Sequence, residues 1–222
     1  MGNYATEIQN IARILRNKNL CTDTSPLTCH LYNQGNYRVE RLNFNINDIP
    51  RNTKPKLVLL NVLLDIAFEE SNDDIPMSNY CFRVTAEGLD EDSNVTKSSW
   101  HLDYDSNDCQ EYIHPHFHLT WGGDRIKDLN LGEVLLLPTP RISYPPMDIV
   151  LGIDFILSNF IKSDVYRQIQ SDSQYKAAVK NAQDKYWRPY MLSLAHHWCN
   201  NNCSQTNFKT IDAKHFHPTL VN

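Results

Sequence analysis

Two stretches of this sequence alternate apolar and polar residues with a period of two, and a chain that does so is built to make a sheet with two unlike faces. From Trp100 to Asp105, the residues Trp100, Leu102 and Tyr104 are apolar, whereas His101, Asp103 and Asp105 are polar. From Ile113 to Trp121, one row is Ile113, Pro115, Phe117, Leu119 and Trp121, and the other is His114, His116, His118 and Thr120. Taking Ser106 to Glu111 as the loop of an antiparallel hairpin sets Asp105 opposite Tyr112, His101 opposite His116 and Asp103 opposite His114. Both apolar rows then share a face, and a slip of one residue would set polar against apolar along the whole pair. Pro115 cannot donate to a ladder, so this strand is expected at an edge or a bulge.

The predicted hairpin gathers His101, Asp103, His114, His116 and His118 on one face, with Asp105 at its end. Imidazole and carboxylate are the donors that bind zinc and other divalent transition metals, and three or four convergent ones suffice. They also titrate where general acid and base catalysis at neutral pH needs them. The sequence leaves a second reading open, in which these histidines tile a solvated polar face.

The rest of the chain sets the fold class. Tyr4, Ile8, Ile11 and Leu15 recur at helical spacing and predict an amphipathic helix over Tyr4 to Arg16. Thr28 to Ile46 reads as two strand-like segments around Gln34-Gly35-Asn36, and Lys56 to Phe68 reads as a central strand. Tyr80 to Ala86 and Leu131 to Leu137 are further strand candidates, with Glu87 to Ser99 a polar loop. Pro145-Pro146 suits a helix start. Met147 to Ile161 is apolar nearly all round, as a buried helix is. Asp172 can cap a last long helix that Pro189 kinks or breaks before Met191 to Trp198. A helix, then a largely antiparallel sheet, then helices is an α+β order, expected as a single domain over residues 1–222. Residues 199–222 form a tail or a small metal-stapled extension.

Lys plus Arg total 21 against 26 Asp plus Glu, a net charge of -5, with no basic stripe of the kind that neutralises phosphates along a nucleic acid. The first residues lack a basic segment followed by an apolar one, and the apolar runs are too short to cross a bilayer. A cytoplasmic location without membrane attachment is therefore expected. In that compartment Cys21, Cys29, Cys81, Cys109, Cys199 and Cys203 are thiols or metal ligands before they are disulfides.

A second candidate metal set is Cys199, Cys203, His215 and His217, whose two thiolates and two imidazoles match a tetrahedral structural zinc. Asp148 and Asp154 stand out because charge in an apolar helix needs a partner. Arg125 and Arg141 are candidates for it, and the helix dipole favours an aspartate at a start such as 148. No phosphate loop, dinucleotide fingerprint, nucleophile elbow or His-Glu-x-x-His motif occurs.

Three resemblances extend this reading. The words His116-Phe117-His118-Leu119-Thr120 and His215-Phe216-His217-Pro218-Thr219 each contain His-x-Thr, which resembles the paired motifs of two-histidine phosphoesterases and implies acid and base roles on a phosphodiester. The order of elements with His114-Pro115 and Pro145-Pro146 resembles ubiquitin-conjugating (E2) domains. His116 stands where that family has asparagine, and no cysteine lies between His114 and Pro146, so the resemblance implies a non-catalytic interaction module. The combination of HPHFH, Gly122-Gly123 and PPMDIVLGIDFILSNF is similar to uncharacterised bacterial proteins of multi-gene, defence-related loci. That similarity implies a protein partner within a larger assembly. The leading expectation is a cytoplasmic metal-binding protein of such an assembly.

Overall fold

A computed structural model describes residues 2–28, 35–71, 77–105, 114–130, 132, 135–137 and 140–198. It has the expected α+β order. Helix α1 (Gly2–Asn17) is followed by strands β1 (Asn36–Asn45), β2 (Leu57–Glu69), β3 (Ser78–Asp90), β4 (Val95–Tyr104), β5 (Phe117–Trp121) and β6 (Ile142–Ser143). The strands form one antiparallel sheet in strictly sequential order. Helices α2 (Ile149–Phe160), α3 (Ser163–Gln170), α4 (Ser173–Ala182) and α5 (Arg188–Trp198) follow, with a π-helical turn over Gln183–Trp187. Among the described residues no helix is long and apolar enough to cross a membrane.

One face of the sheet carries the core. Val62, Leu64, Ile66 and Phe68 of β2 and Phe82 and Val84 of β3 are buried in one cluster with Ile8, Ile11 and Leu15 of α1 and Ile149 to Ile156 of α2. Burying each such side chain contributes about 1.5–3 kcal/mol. Helix α2 comes close because Gly152 faces the sheet: a Cβ there would lie 2.9 Å from Phe82 Cε2. Asp148 caps this helix by accepting from the Leu151 N–H at 2.9 Å. Asp172 caps α4 in the same way through Gln174 and Tyr175. Asp154 pairs with neither arginine named as a candidate: its carboxylate accepts from the Tyr166 and Tyr175 hydroxyls at 2.9 and 2.7 Å.

Several expected elements change. The stretch 87–99 is not a loop, since β3 runs on to Asp90 and β4 starts at Val95. Glu87 and Lys97 face each other across these strands as an ion pair at 3.0 Å, while Ser99 is buried. The described part of Leu131 to Leu137 is not a strand, and Leu135 and Leu137 are exposed. A short helix, α3, precedes Asp172. The first half of Thr28 to Ile46 falls largely on residues 29–34, which lie outside the described residues, as do Cys199, Cys203, His215 and His217.

Candidate functional site

The register of β4 with β5 is Trp100 with Trp121, His101 with Thr120, Leu102 with Leu119, Asp103 with His118 and Tyr104 with Phe117. Both apolar rows share a face, as the alternation demands, but the pairing sits four residues from the predicted one. Parity forbids only odd shifts. A longer connection costs little additional closure entropy, so the alternation alone could not choose between a short loop and one running from Asp105 to His116.

The corrected register places two rows across the outer face of the sheet. Cys81, Asp103, His118 and Ser143 are successive neighbours on β3 to β6. Beside them run Asp65, Arg83, His101 and Thr120 on β2 to β5. In an exposed sheet these would face water. Here the chain turns back over them after β5, at Gly122 (φ +106°) and Gly123 (φ +82°). Positive φ at both positions explains the glycine pair. A Cβ on Gly123 would also lie 3.1 Å from the His101 ring. The covering segment is held by buried Ile126 and by Arg125, which donates to Asp65 at 3.3 Å. Beneath it His118 and Thr120 keep only 4% and 7% of their surface.

A cavity of about 490 Å³ opens at this cover. His101, Asp103, Asp105, His114, His118, Thr120 and Arg141 supply its polar lining. His101, Asp103, His114 and His118, drawn from the predicted set, therefore meet there. His116 is not among the residues lining the cavity; its ring packs edge-on to Tyr104 at 5.8 Å. Thr120 was read only as part of the polar row and Arg141 only as a partner for aspartates, yet both belong to the site. The parity that Thr120 shares with His118 was the available signal for the first. Arg141 carries no periodic signal, because it enters from the irregular segment before β6.

Two of the imidazoles, those of His118 and His114, are held toward the neutral form. His118 Nδ1 lies 3.1 Å from the Pro115 carbonyl, which can only accept, so that nitrogen carries the proton and Nε2 keeps its lone pair. Burial, reinforced by His114, pushes the His118 pKa down to about 4. Its ring lies 4.2 Å from that of His114. Burial and then Arg141 lower the pKa of His114 as well. The carboxylates are each engaged by a histidine: His101 Nε2 is 3.2 Å from Asp103 Oδ2, and His114 Nε2 is 3.8 Å from Asp105 Oδ2. Burial raises the Asp103 pKa, against the opposing pull of His101 and Arg83. Cys81, next to Asp103, is pushed up by burial, which keeps it a thiol and a weak nucleophile.

Among the described residues, no three His, Cys, Asp or Glu side chains are already gathered around a point that would hold a metal ion. What the arrangement offers without movement is a neutral imidazole pair with one fixed tautomer, two carboxylates and one guanidinium around a small cavity. In comparisons with known proteins, no family model, no curated protein and no solved structure matches this chain.

Proposed function

We propose that the cavity beneath the Gly122-Gly123 turn is the working site of this protein and that it binds a divalent transition metal, zinc foremost, through His118, His114, Asp103 and His101. The observation that carries the reading is the tautomer of His118. A ring whose Nδ1–H is tied to a backbone carbonyl, and whose Nε2 is unprotonated beside a second neutral imidazole, is arranged as metal-ligating histidines are. Ligands must be deprotonated to bind, and burial has already achieved this for both imidazoles at neutral pH. A cation would also offset the two carboxylates.

The test is zinc titration of chelator-stripped protein by calorimetry, with metal analysis of the protein as purified. Stoichiometric uptake that is lost in His118→Ala is expected. Absence of uptake, or uptake unchanged by that substitution, would end the metal reading.

A second reading, acid and base catalysis on a phosphodiester, is favoured by one observation: His118 and Thr120, two apart on β5, both line the cavity. The second His-x-Thr word, at His217 and Thr219, lies outside the described residues. The wider setting, a cytoplasmic component of a bacterial assembly with a protein partner and a defence role, is proposed on the sequence resemblance, as is the non-catalytic E2-like module.

A further inference from the structure

Three residues that line this cavity each hold a buried side-chain atom with no hydrogen-bond partner among the described residues: His114 Nδ1, Thr120 Oγ1 and Arg141 Nη1. A buried polar atom left unpaired costs about 1–3 kcal/mol, more for a charged group, so native proteins rarely keep one without a use. Three of them on one small cavity is a concentration. Their chemistry is also specific. A guanidinium nitrogen can only donate and a threonine hydroxyl does so readily, so what they lack is an acceptor. The carboxylates of the cavity do not fill this role, being directed to His101 and His114.

We propose that Arg141 and Thr120 form an oxyanion subsite that takes the phosphate group of a small phosphate ester. A tetrahedral oxyanion presents several acceptor oxygens at once. One can take the Arg141 Nη1–H and a second the Thr120 hydroxyl. The cavity volume lies in the range of small-molecule sites, roughly 300–1,000 Å³, and is too small for a folded partner. Burial of Thr120 and His118 marks a site built into the fold. The inference uses the same cavity as the metal reading but does not rest on it, since neither Arg141 nor Thr120 ligates a cation.

The experiment is calorimetric titration of the full chain with inorganic phosphate in EDTA at pH 7.5, then with zinc in place of EDTA. Saturable binding in EDTA, weakened about tenfold or more by Arg141→Gln, is expected. Thr120→Val, nearly isosteric, is the second variant and should weaken binding severalfold with an unchanged melting temperature. If Arg141→Gln fails to fold, the Thr120→Val result decides. Zinc uptake in Arg141→Gln should match the parent. Phosphate binding without zinc uptake would overturn the metal reading alone. Phosphate binding that is absent in EDTA, that appears only with zinc, or that ignores both substitutions would overturn the subsite.

Discussion

His118 and Asp148 are buried to nearly the same degree on opposite faces of one sheet, and burial moves their pKa values in opposite directions. His118, under the Gly122-Gly123 turn, is pushed down to about 4. Asp148, at the start of α2, is fully enclosed and pushed up to about 6, with the Leu151 N–H and Lys185 acting against the rise. Loss of solvation disfavours whichever form is charged, so the base loses its proton and the acid keeps it. Their surroundings differ in a second way. The unpaired atoms near His118 belong to residues that line an open cavity. Near Asp148 the Tyr186 hydroxyl is left unpaired and the Tyr4 hydroxyl lies against the carboxyl, all among groups of the helical core. An unpaired polar atom signals a ligand site where a cavity meets it. Inside a closed core it signals a titration.

The two groups pull the stability curve in opposite directions over one pH range. A histidine whose folded pKa is depressed adds stability above its unfolded value of about 6.5, and this is lost as pH falls toward 4. An aspartate whose folded pKa is raised is at its best below about 3.9, and the advantage is lost as pH rises toward 6. Each shift corresponds to roughly 3 kcal/mol at 1.36 kcal/mol per unit. In the parent protein the two contributions nearly cancel between pH 4 and 6.

The largest effect should come from Asp148→Asn, which keeps an oxygen for the Leu151 N–H and removes the acid. Urea denaturation from pH 7 to 4 should then expose the histidine slope, a loss approaching about 3 kcal/mol. A flat profile in that variant would break the comparison. His118→Gln should expose the opposite slope, with stability falling by about 3 kcal/mol as pH rises from 4 to 6.5. The third test uses Asp154, a helix carboxylate that does have partners. Tyr175→Phe removes the 2.7 Å hydrogen bond and should cost about 2 kcal/mol at neutral pH, read as a lower urea midpoint. The smallest effect, about 1 kcal/mol, is expected for Gly123→Ala, where φ is +82° and the His101 ring stands 3.1 Å from the new Cβ. A melting temperature equal to the parent's would show that the cover does not need its glycine turn.

Residue periodicity carried much of this architecture and only part of the site. The alternation around His101 and His118 gave the correct faces, because a strand offers two sides and the core selects one. It did not give the correct neighbours. Even shifts preserve the faces, and nothing local separates Asp103 beside His114 from Asp103 beside His118. The cover was illegible for another reason. Leu135 and Leu137 belong to an apolar run that reads as a strand, but they lie exposed near a cavity whose floor is polar. Arg141 joins the site through tertiary placement, which no periodicity reports. Asp148 was read correctly as a helix-start residue because capping is local chemistry, whereas its burial against α1 is not local.

The sequential order of the sheet also bears on how the chain reaches this structure during synthesis. Every strand from β2 to β6 pairs with the strand made just before it, so the sheet can lengthen as residues emerge. Its apolar face has no such schedule. Helix α1 is made first, yet Arg13 and Glu7 on it bond Gln174 and Asn181 of α4, more than a hundred and fifty residues later. Until α2 and α4 have left the ribosome, α1 and the valines, leucines and phenylalanines of β2 and β3 have only part of their cover. The nascent chain thus passes through a stage in which a formed sheet shows its greasy side, and that is the stage at which a chaperone would find it.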